Sequence, residues 1–463
     1  MKHRLLAAVL GLSLAATLPA CTVGPNYERP AVPRITSYRG QSDPAGATSA
    51  SVADQRWWEL FEDEALKTLI QTAIEENYDV RIAAARRLEA EALLGVADAD
   101  QLPSASAQLS GQGSRVGGAR GATSQQWSAT LGASWEIDFW GKFRRASEAA
   151  RADVLASEWG RRAAVQSLVA QVASSYFILR GLDELLQIAD GTLAARRESL
   201  RLTVRREQSG AGSLLDIRQA EELVQLADGE RITLTRQVEQ QENLIATLLG
   251  RRPGPIARGR PLSEQKLPPA VPAGLPSQLL ERRPDIQVAE QQLVSANAQI
   301  GVAEAQRLPA LSLTGSGGIV SGTLLSLFTS PAALLSAAGS LVQPLFDGGR
   351  LAGQVSAAEA RAQEATLVYG QTILQALHEV SDALVGFQRN RELSASRDAL
   401  LEAARRAQSL AELRYHGGSS SFLEVLDAST RQLDAELALV RARLDTLLSY
   451  VDIYRALGGG WQV

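Results

Sequence analysis

Few residues in this chain have the types and spacing that chemistry requires. Cys21 is the one cysteine in 463 residues, which excludes an internal disulfide and leaves a single thiol to be explained. The three histidines, His3, His378 and His416, are widely separated. None has a second ligand at metal spacing, and His378 reads as a helix-surface or packing residue. Gly141-Lys142-Phe143 lacks both the upstream glycine and the hydroxyl residue of a phosphate loop, and Gly111-Gln112-Gly113 lacks the third glycine of a nucleotide turn. No nucleophile, base and orienting group share a supporting spacing. The chain reads as no enzyme, with no metal and no diffusible cofactor.

The chemistry expected of Cys21 comes from what precedes it. Lys2 and Arg4 lead into an apolar core from Leu5 to Leu14, the order of a secretory signal. Leu18-Pro19-Ala20-Cys21 follows, and a small residue before a lone cysteine resembles the bacterial lipoprotein box. That resemblance implies cleavage before Cys21 and a covalent lipid there, S-diacylglycerol on the thiol and N-acyl on the amine. Thr22 follows where aspartate would imply inner-membrane retention, so the outer membrane is the expected address. Without Lys2 and Arg4 the chain carries 45 basic against 51 acidic residues, a net of −6. Mild acidity argues against nucleic acid as a partner. No later stretch reaches the roughly 18 consecutive apolar residues of a spanning helix. If the chain crosses a membrane, strands must do it as a closed barrel.

These residues sit in a chain built twice. Asp79 matches Asp285, Gly95 matches Gly301 and Pro103 matches Pro309 at an offset of 206. Gly141 and Gly349, Gly210 and Gly418, Leu215-Asp216-Ile217 and Leu423-Glu424-Val425, and Leu249-Gly250 and Leu457-Gly458 match at 208. So long a period implies a pseudo-symmetric fold, not a solenoid of small units. The joint between the copies is Leu267 to Ile286, rich in proline and leucine.

Proline is absent from Ser104 to Arg252 and from Leu345 to the end. Inside those tracts apolar residues recur at 3-4-3-4 spacing, as in Val165, Leu168, Val172, Leu179, Leu186 and Leu193, and again in Leu433, Leu437, Val440, Leu444, Leu447 and Val451. A sustained period of 3.5 is a coiled-coil signature. A continuous helix from Phe143 to about Gln208 would be on the order of 100 Å long at 1.5 Å per residue. The seams reverse at Gly210 and Gly212 and at Gly417-Gly418, where Ser213 with Asp216 and Ser421 with Glu424 read as helix caps. Trp57-Trp58 anchors a helix expected to begin near Asp63.

Between these helices the period falls to two. Trp127, Ala129, Leu131, Ala133, Trp135 and Ile137 alternate with polar or small residues, opposite Ser104 to Ser114. The second copy offers Ala310 to Ser316 and Ser336 to Phe346, with weaker alternation. About ten residues of alternation with aromatic ends suit membrane strands, and a solvent-facing hairpin is the alternative. Two hairpins give four strands, fewer than the roughly eight of the smallest membrane barrels. Strands that cross lipid must then be shared among several chains, closed by cyclic symmetry.

The lipoprotein box followed by Gly24-Pro25-Asn26-Tyr27-Glu28-Arg29-Pro30, the joint motif GLPSQLLERRPDI, the WEIDFWGK corner and its partner QPLFDGGR together resemble the outer membrane factors of the TolC superfamily. The closer likeness is to the lipoprotein branch, the outer-membrane components of RND-type efflux systems (the NodT family). The resemblance covers essentially the whole mature chain. It implies an α+β fold, internally duplicated, in which four membrane strands per chain contribute to a 12-stranded trimeric barrel and long coiled-coil helices form a periplasmic α-barrel. The corresponding division is a signal over residues 1–20, an acylated arm over 21–56, a first repeat over 57–250, a proline-rich connector over 251–276, a second repeat over 277–458 and a tail over 459–463. The implied partners are two further copies, a periplasmic adaptor, an inner-membrane RND-type pump and outer-membrane lipid.

In such proteins the helix tips close the channel. By that resemblance Tyr415 falls on a tyrosine of the gate segment, Leu423 on its apolar constriction and Asp427 on its acidic ring. The arginine expected one turn beyond falls on Thr430, with Arg431 next to it, which puts the gate's ion pair in doubt. Asp427 also has a plain role early in a helix, where an acid favours the dipole, and Leu423 also fits a packing contact at the tip. Three aspartates about one axis would repel one another and attract cations. Two rivals remain: a type I system exporting polypeptide, and a lipid-anchored periplasmic coiled-coil scaffold.

Overall fold

The computed structural model describes residues 22–31, 38–39, 51, 53, 62–115, 117, 123–265 and 276–460. The signal, Cys21, Trp57-Trp58 and the middle of the connector lie outside them.

The elements repeat as the residue matches require. In the first copy α1 (Glu64–Glu76), α2 (Tyr78–Ala99), β1 (Ser104–Arg115), β2 (Thr123–Ile137), α3 (Lys142–Gln208) and α4 (Leu214–Leu248) follow in order. A 3-10 turn, Leu262–Glu264, leads to the second copy: α5 (Pro276–Arg282), α6 (Pro284–Ala305), β3 (Ala310–Ser321), a short α7 (Ser326–Thr329), β4 (Ala332–Val342), α8 (Arg350–His416) and α9 (Phe422–Ala456). Helices α2 and α6 share both boundaries at an offset of 206, and α3 with α8 and α4 with α9 share theirs at 208. The change of two residues therefore falls in the hairpins. There the second copy departs from expectation: β3 runs to Ser321, and β4 starts at Ala332 and ends before Leu345 and Phe346. Glycine and alanine in both strands blur the alternation that would have marked those ends.

By contacts the chain forms two compact units, each drawing on both copies. One combines residues 1–31, 86–158 and 288–370; the other combines 32–85, 159–287 and 371–463.

The second of these holds the helical core. Asp63 caps α1, accepting from the amides of Ala65 at 3.0 Å and Leu66 at 3.3 Å. Its other oxygen accepts from the Tyr176 hydroxyl at 2.8 Å, Arg260 N at 3.0 Å and Gln265 Nε2 at 3.0 Å. A carboxylate 1% exposed is tolerable only with such partners. Burial, with the Asp63 carboxylate beside it, raises the Tyr176 hydroxyl above the ordinary phenol range. Around them Leu66, Ile70, Phe177, Leu179 and Ile245 are fully buried, each contributing about 1.5–3 kcal/mol of apolar burial. The seam predicted on α3 is buried at Val165, Leu168, Val172, Leu179 and Leu193 and half-buried at Leu186.

Both reversals have one backbone design. Gly210 and Gly418 are left-handed, with φ of 77° and 72°. Ala211 N donates to Arg206 O at 2.8 Å, and Ser419 N to Arg414 O at 2.9 Å, closing the last carbonyls of each helix. The starts of the next helices differ. Ser213 and Asp216 form the reciprocal capping box expected of them, at 3.1 and 3.2 Å. Ser421 is the N-cap of α9, but its side chain makes no capping bond, and Glu424 turns instead to Arg414 at 3.3 Å. The expected second box is therefore not formed.

The other unit holds the sheet, antiparallel in the order β1-β2-β3-β4. Its corner is built by the tryptophan motif. Asp138 caps α3, accepting from the amides of Phe143 at 3.2 Å and Arg144 at 3.0 Å, while Trp135 and Trp140 donate to the carbonyls of Gln101 at 3.0 Å and Pro309 at 2.8 Å.

Candidate functional site

The sheet is two-faced. In β1 the even positions are Ser104, Ser106, Gln108 and Ser110, and they pair with Ser134, Gly132, Thr130 and Ser128 of β2. Successive residues of a strand point to opposite faces. Hydroxyls meet across the even face, Ser104 with Ser134 at 2.8 Å, Ser110 with Ser128 at 2.7 Å and Ser316 with Ser336 at 2.7 Å. The odd face carries Leu109, Trp127, Leu131, Trp135, Leu313, Ile319, Leu335 and Leu341. Leu109, Leu131, Leu335 and Leu341 on it are 64–89% exposed. One wet face and one greasy face is the division of a membrane barrel between lumen and lipid. Strands β1 and β4 are the edges, and an unpaired edge in lipid leaves its amides and carbonyls unsatisfied.

The foot of this sheet is bound by the N-terminal segment. Val23 N donates to Trp140 O at 3.0 Å. Arg145, 4% exposed, donates to the carbonyls of Val23 at 3.2 Å and Gly24 at 3.1 Å and to Asn26 Oδ1 at 2.8 Å. Gly24, at φ 86°, lies so close to Gly301 that a Cβ on either would strike the other chain segment. Beyond it, buried Glu290 accepts from Arg29 and, at 3.1 Å, from the Tyr27 hydroxyl. Nothing in the sequence marked Arg145, because an arginine on a helix is ordinarily solvated.

In the helical unit the residues assigned to the gate gather at one reversal. Tyr415 packs at a tilt of 47° against Phe422, with ring centroids 5.5 Å apart, and takes the Arg206 guanidinium over its ring at 4.4 Å. Leu423 is 63% exposed. Asp427 pairs with Arg431 at 3.0 Å, one turn along the same helix, both side chains exposed. This pair lies within one helix, and Thr430, at the position where the resemblance expects the arginine, donates instead to Leu426 O at 2.9 Å. A contact that sequence reading missed is Arg196 of α3, which donates to Ser429 of α9 at 2.8 Å beside a cavity of about 370 Å³. Burial lowers the Arg196 guanidinium from its ordinary value.

Among the described residues no cluster of histidine, cysteine and carboxylates could hold a metal, and no helix is long and apolar enough to cross a membrane. His378 is exposed beside Asp382, at 3.5 Å.

A family model described as outer membrane efflux protein matches twice, over residues 69–251 and 275–459, once per copy. The chain belongs to the outer membrane efflux protein family. It is 37% identical to a probable efflux pump outer membrane protein, TtgC of Pseudomonas putida, over 97% of this chain and 95% of that one. It is 33% identical to the cation efflux system protein CusC of Escherichia coli O157:H7, over 98% and 99%. Among solved structures, the open state of the MtrE outer membrane channel of Neisseria gonorrhoeae superposes with a TM-score of 0.85 at 33% identity, covering 95% of this chain and 99% of that one. The outer-membrane channel OprN superposes at 0.87 with 32% identity, over 96% and 100%. The fold is that of the outer-membrane efflux channels, and the chain is one of them.

Proposed function

We propose that three copies of this chain close one barrel and form a passive exit duct for small molecules, fed by an inner-membrane RND-type pump through a periplasmic adaptor. The observation that carries the reading is the four-stranded sheet whose two edge strands pair with no other strand among the described residues, with one hydroxyl-lined face and one apolar face. Three such sheets supply twelve strands, enough to enclose an aqueous lumen. Relatives are named for solvent, toluene, antibiotic and cation efflux, which favours small compounds over polypeptide as cargo. No residue pattern couples an energy source, so the chain is a duct and no enzyme.

The lipid on Cys21 belongs to the same reading. Thr22 lies exposed at the foot of the sheet, where a Cβ on Gly141 would come within 2.7 Å of it. Acyl chains on the preceding residue would therefore enter the bilayer beside the barrel, adding an anchor to the spanning strands.

Tyr415, Leu423, Asp427 and Arg431 form the gate at the periplasmic helix tips. Each tip would bring an exposed leucine and an exposed carboxylate toward the three-fold axis. The carboxylates favour cations, and partner contacts splay the tips to open them. Conductance across a planar bilayer tests this. The expected result is a small cation-preferring conductance, with the preference reduced by Asp427→Ala. A lipid-anchored scaffold would give no conductance in either protein.

A further inference from the structure

We infer that α7, the short helix between β3 and β4, is an interfacial anchor whose Leu324, Leu325 and Phe328 side chains take acyl chains of the outer leaflet of the outer membrane. The inference rests on the reading of the sheet as membrane wall and adds a lipid contact beyond its strands. The long helices leave the sheet at its foot, so the turn from β3 to β4 stands at the opposite, cell-exterior end.

That turn is inside out for a loop in water. Ser326 Oγ contacts the Ser321 hydroxyl and donates to Thr323 O at 3.0 Å, while Thr323 Oγ1 accepts from Ser326 N at 3.2 Å. Ser330 N donates to Ser326 O at 2.9 Å, and Thr329 Oγ1 donates to Leu325 O at 3.3 Å. Leu327 is buried, but Leu324 is exposed, and Leu325 and Phe328 are 76% and 75% exposed. A loop solvated by water ordinarily shows its hydroxyls and hides its leucines. Here the polar groups bond within the turn and the large apolar ones face out, which is the arrangement that lipid requires.

The place of α7 on the sheet agrees with this. Ser321 pairs with Trp127, so its side chain lies on the apolar face with Trp127, Leu131 and Trp135, and on that side it holds Ser326. From Leu311 to Ser321 the strand is about 33 Å long at about 3.3 Å per residue. At a tilt of about 40° it spans about 25 Å, the height of a barrel's apolar band. Trp135 and Trp127 stand near the two limits of that band, as girdle residues do. Helix α7 packs on the ends of β2 and β3, the two middle strands, whereas the edges at which another chain would pair are β1 and β4. Its apolar side is therefore continuous with the lipid face and set away from a neighbouring copy.

Charge identifies the occupant. No ionisable residue occurs from Leu308 to Phe346, so nothing in this hairpin opposes contact with hydrocarbon. The first hairpin turns instead through Arg115-Val116-Gly117-Gly118-Ala119-Arg120, whose two cations and two glycines suit water. A face of leucine and phenylalanine, with no polar group asking for a partner, fits hydrocarbon chains. An apolar helical face at this level of a bilayer sinks about 5–10 Å into the boundary between headgroups and acyl chains.

Nitroxide accessibility in the full-length protein, reconstituted into phosphatidylcholine vesicles, tests the anchor. Labels at Leu325→Cys and Phe328→Cys are compared with Leu131→Cys on the apolar face and Ser106→Cys on the hydroxyl face, with the unsubstituted protein as the blank. All four replaced side chains are exposed in the chain, so none of the substitutions opens the core. Both α7 labels are expected to collide with oxygen several-fold more often than with a water-soluble nickel chelate, as the Leu131→Cys label does, with the ratio reversed at Ser106→Cys. If the α7 labels read wet like Ser106→Cys, or are reached by neither reagent as under a lid on the lumen, while Leu131→Cys reads as lipid, the inference is overturned and the barrel stands. A wet Leu131→Cys label removes the membrane-wall reading itself.

Discussion

The two repeats solve one packing problem with different chemistry. At the end of α1, Asn77 is neutral: its amide donates to Leu248 O while its own oxygen caps α2, accepting from the amides of Asp79 at 2.7 Å and Val80 at 3.2 Å. At the matched place Arg283 reaches Ala456 O with a buried cation. That cation then needs Asp285, at 2.6 Å, and Glu379, at 2.9 Å, where the first copy has Gln171 as the counterpart of Glu379. A duplicated backbone thus holds its geometry while its polar groups drift, provided each buried group keeps a partner. The second solution is electrostatically costlier and makes that end of the joint sensitive to acid.

Substitutions at the matched positions should separate the two solutions. Arg283→Ala removes one partner of a buried charge cluster and should destabilise by about 3–5 kcal/mol, read as a fall in the unfolding midpoint in detergent. Asn77→Ala loses a cap and a donor but strands no charge, so about 1–2 kcal/mol is expected. The tips give a third contrast: Ser213→Ala breaks a formed capping box and should cost about 1 kcal/mol, whereas Ser421→Ala, whose hydroxyl caps nothing, should change stability by less than about 0.5 kcal/mol.

Acid sharpens the same contrast. Burial pushes the Glu379 carboxyl up, but bonds from Gln375 and Arg283 and the charge of Arg455 outweigh it, so the group titrates below its ordinary value. A carboxyl whose folded value is lowered contributes stability that is present above its unfolded value, about 4.3, and is lost as pH falls through the folded one. Stability of the protein should therefore drop more between neutral and acid pH than that of Glu379→Gln, which makes the second joint resemble the first. Equal acid dependence of the two proteins in a pH series of melts would refute the assignment.

Much of the fold was legible because proline punctuates it. The proline-free tracts gave α3 and α4 nearly to the residue, and the duplicated glycines gave both reversals. The first hairpin was legible because tryptophan and leucine alternate with serine and threonine in β2. The second was placed but its strand ends were missed, since Gly315, Gly317, Gly318 and Ala337-Ala338 carry little hydrophobic contrast. The capping box at Ser421 failed because Glu424 had a competing cation, Arg414, on the facing helix, a contact no local motif encodes. At the tip the i to i+4 spacing of Asp427 and Arg431 is a helix pair by arithmetic. The links of Arg196 to Ser429 and Arg206 to Tyr415 join residues more than 200 positions apart, a separation that no local pattern spans.

Direct imaging of the purified, detergent-extracted particle bears most heavily on all of this. Three chains should be seen around one axis, with β4 of each hydrogen-bonded to β1 of the next and the serine face turned inward. A stable particle of one chain, its outer strands bare, would contradict the account.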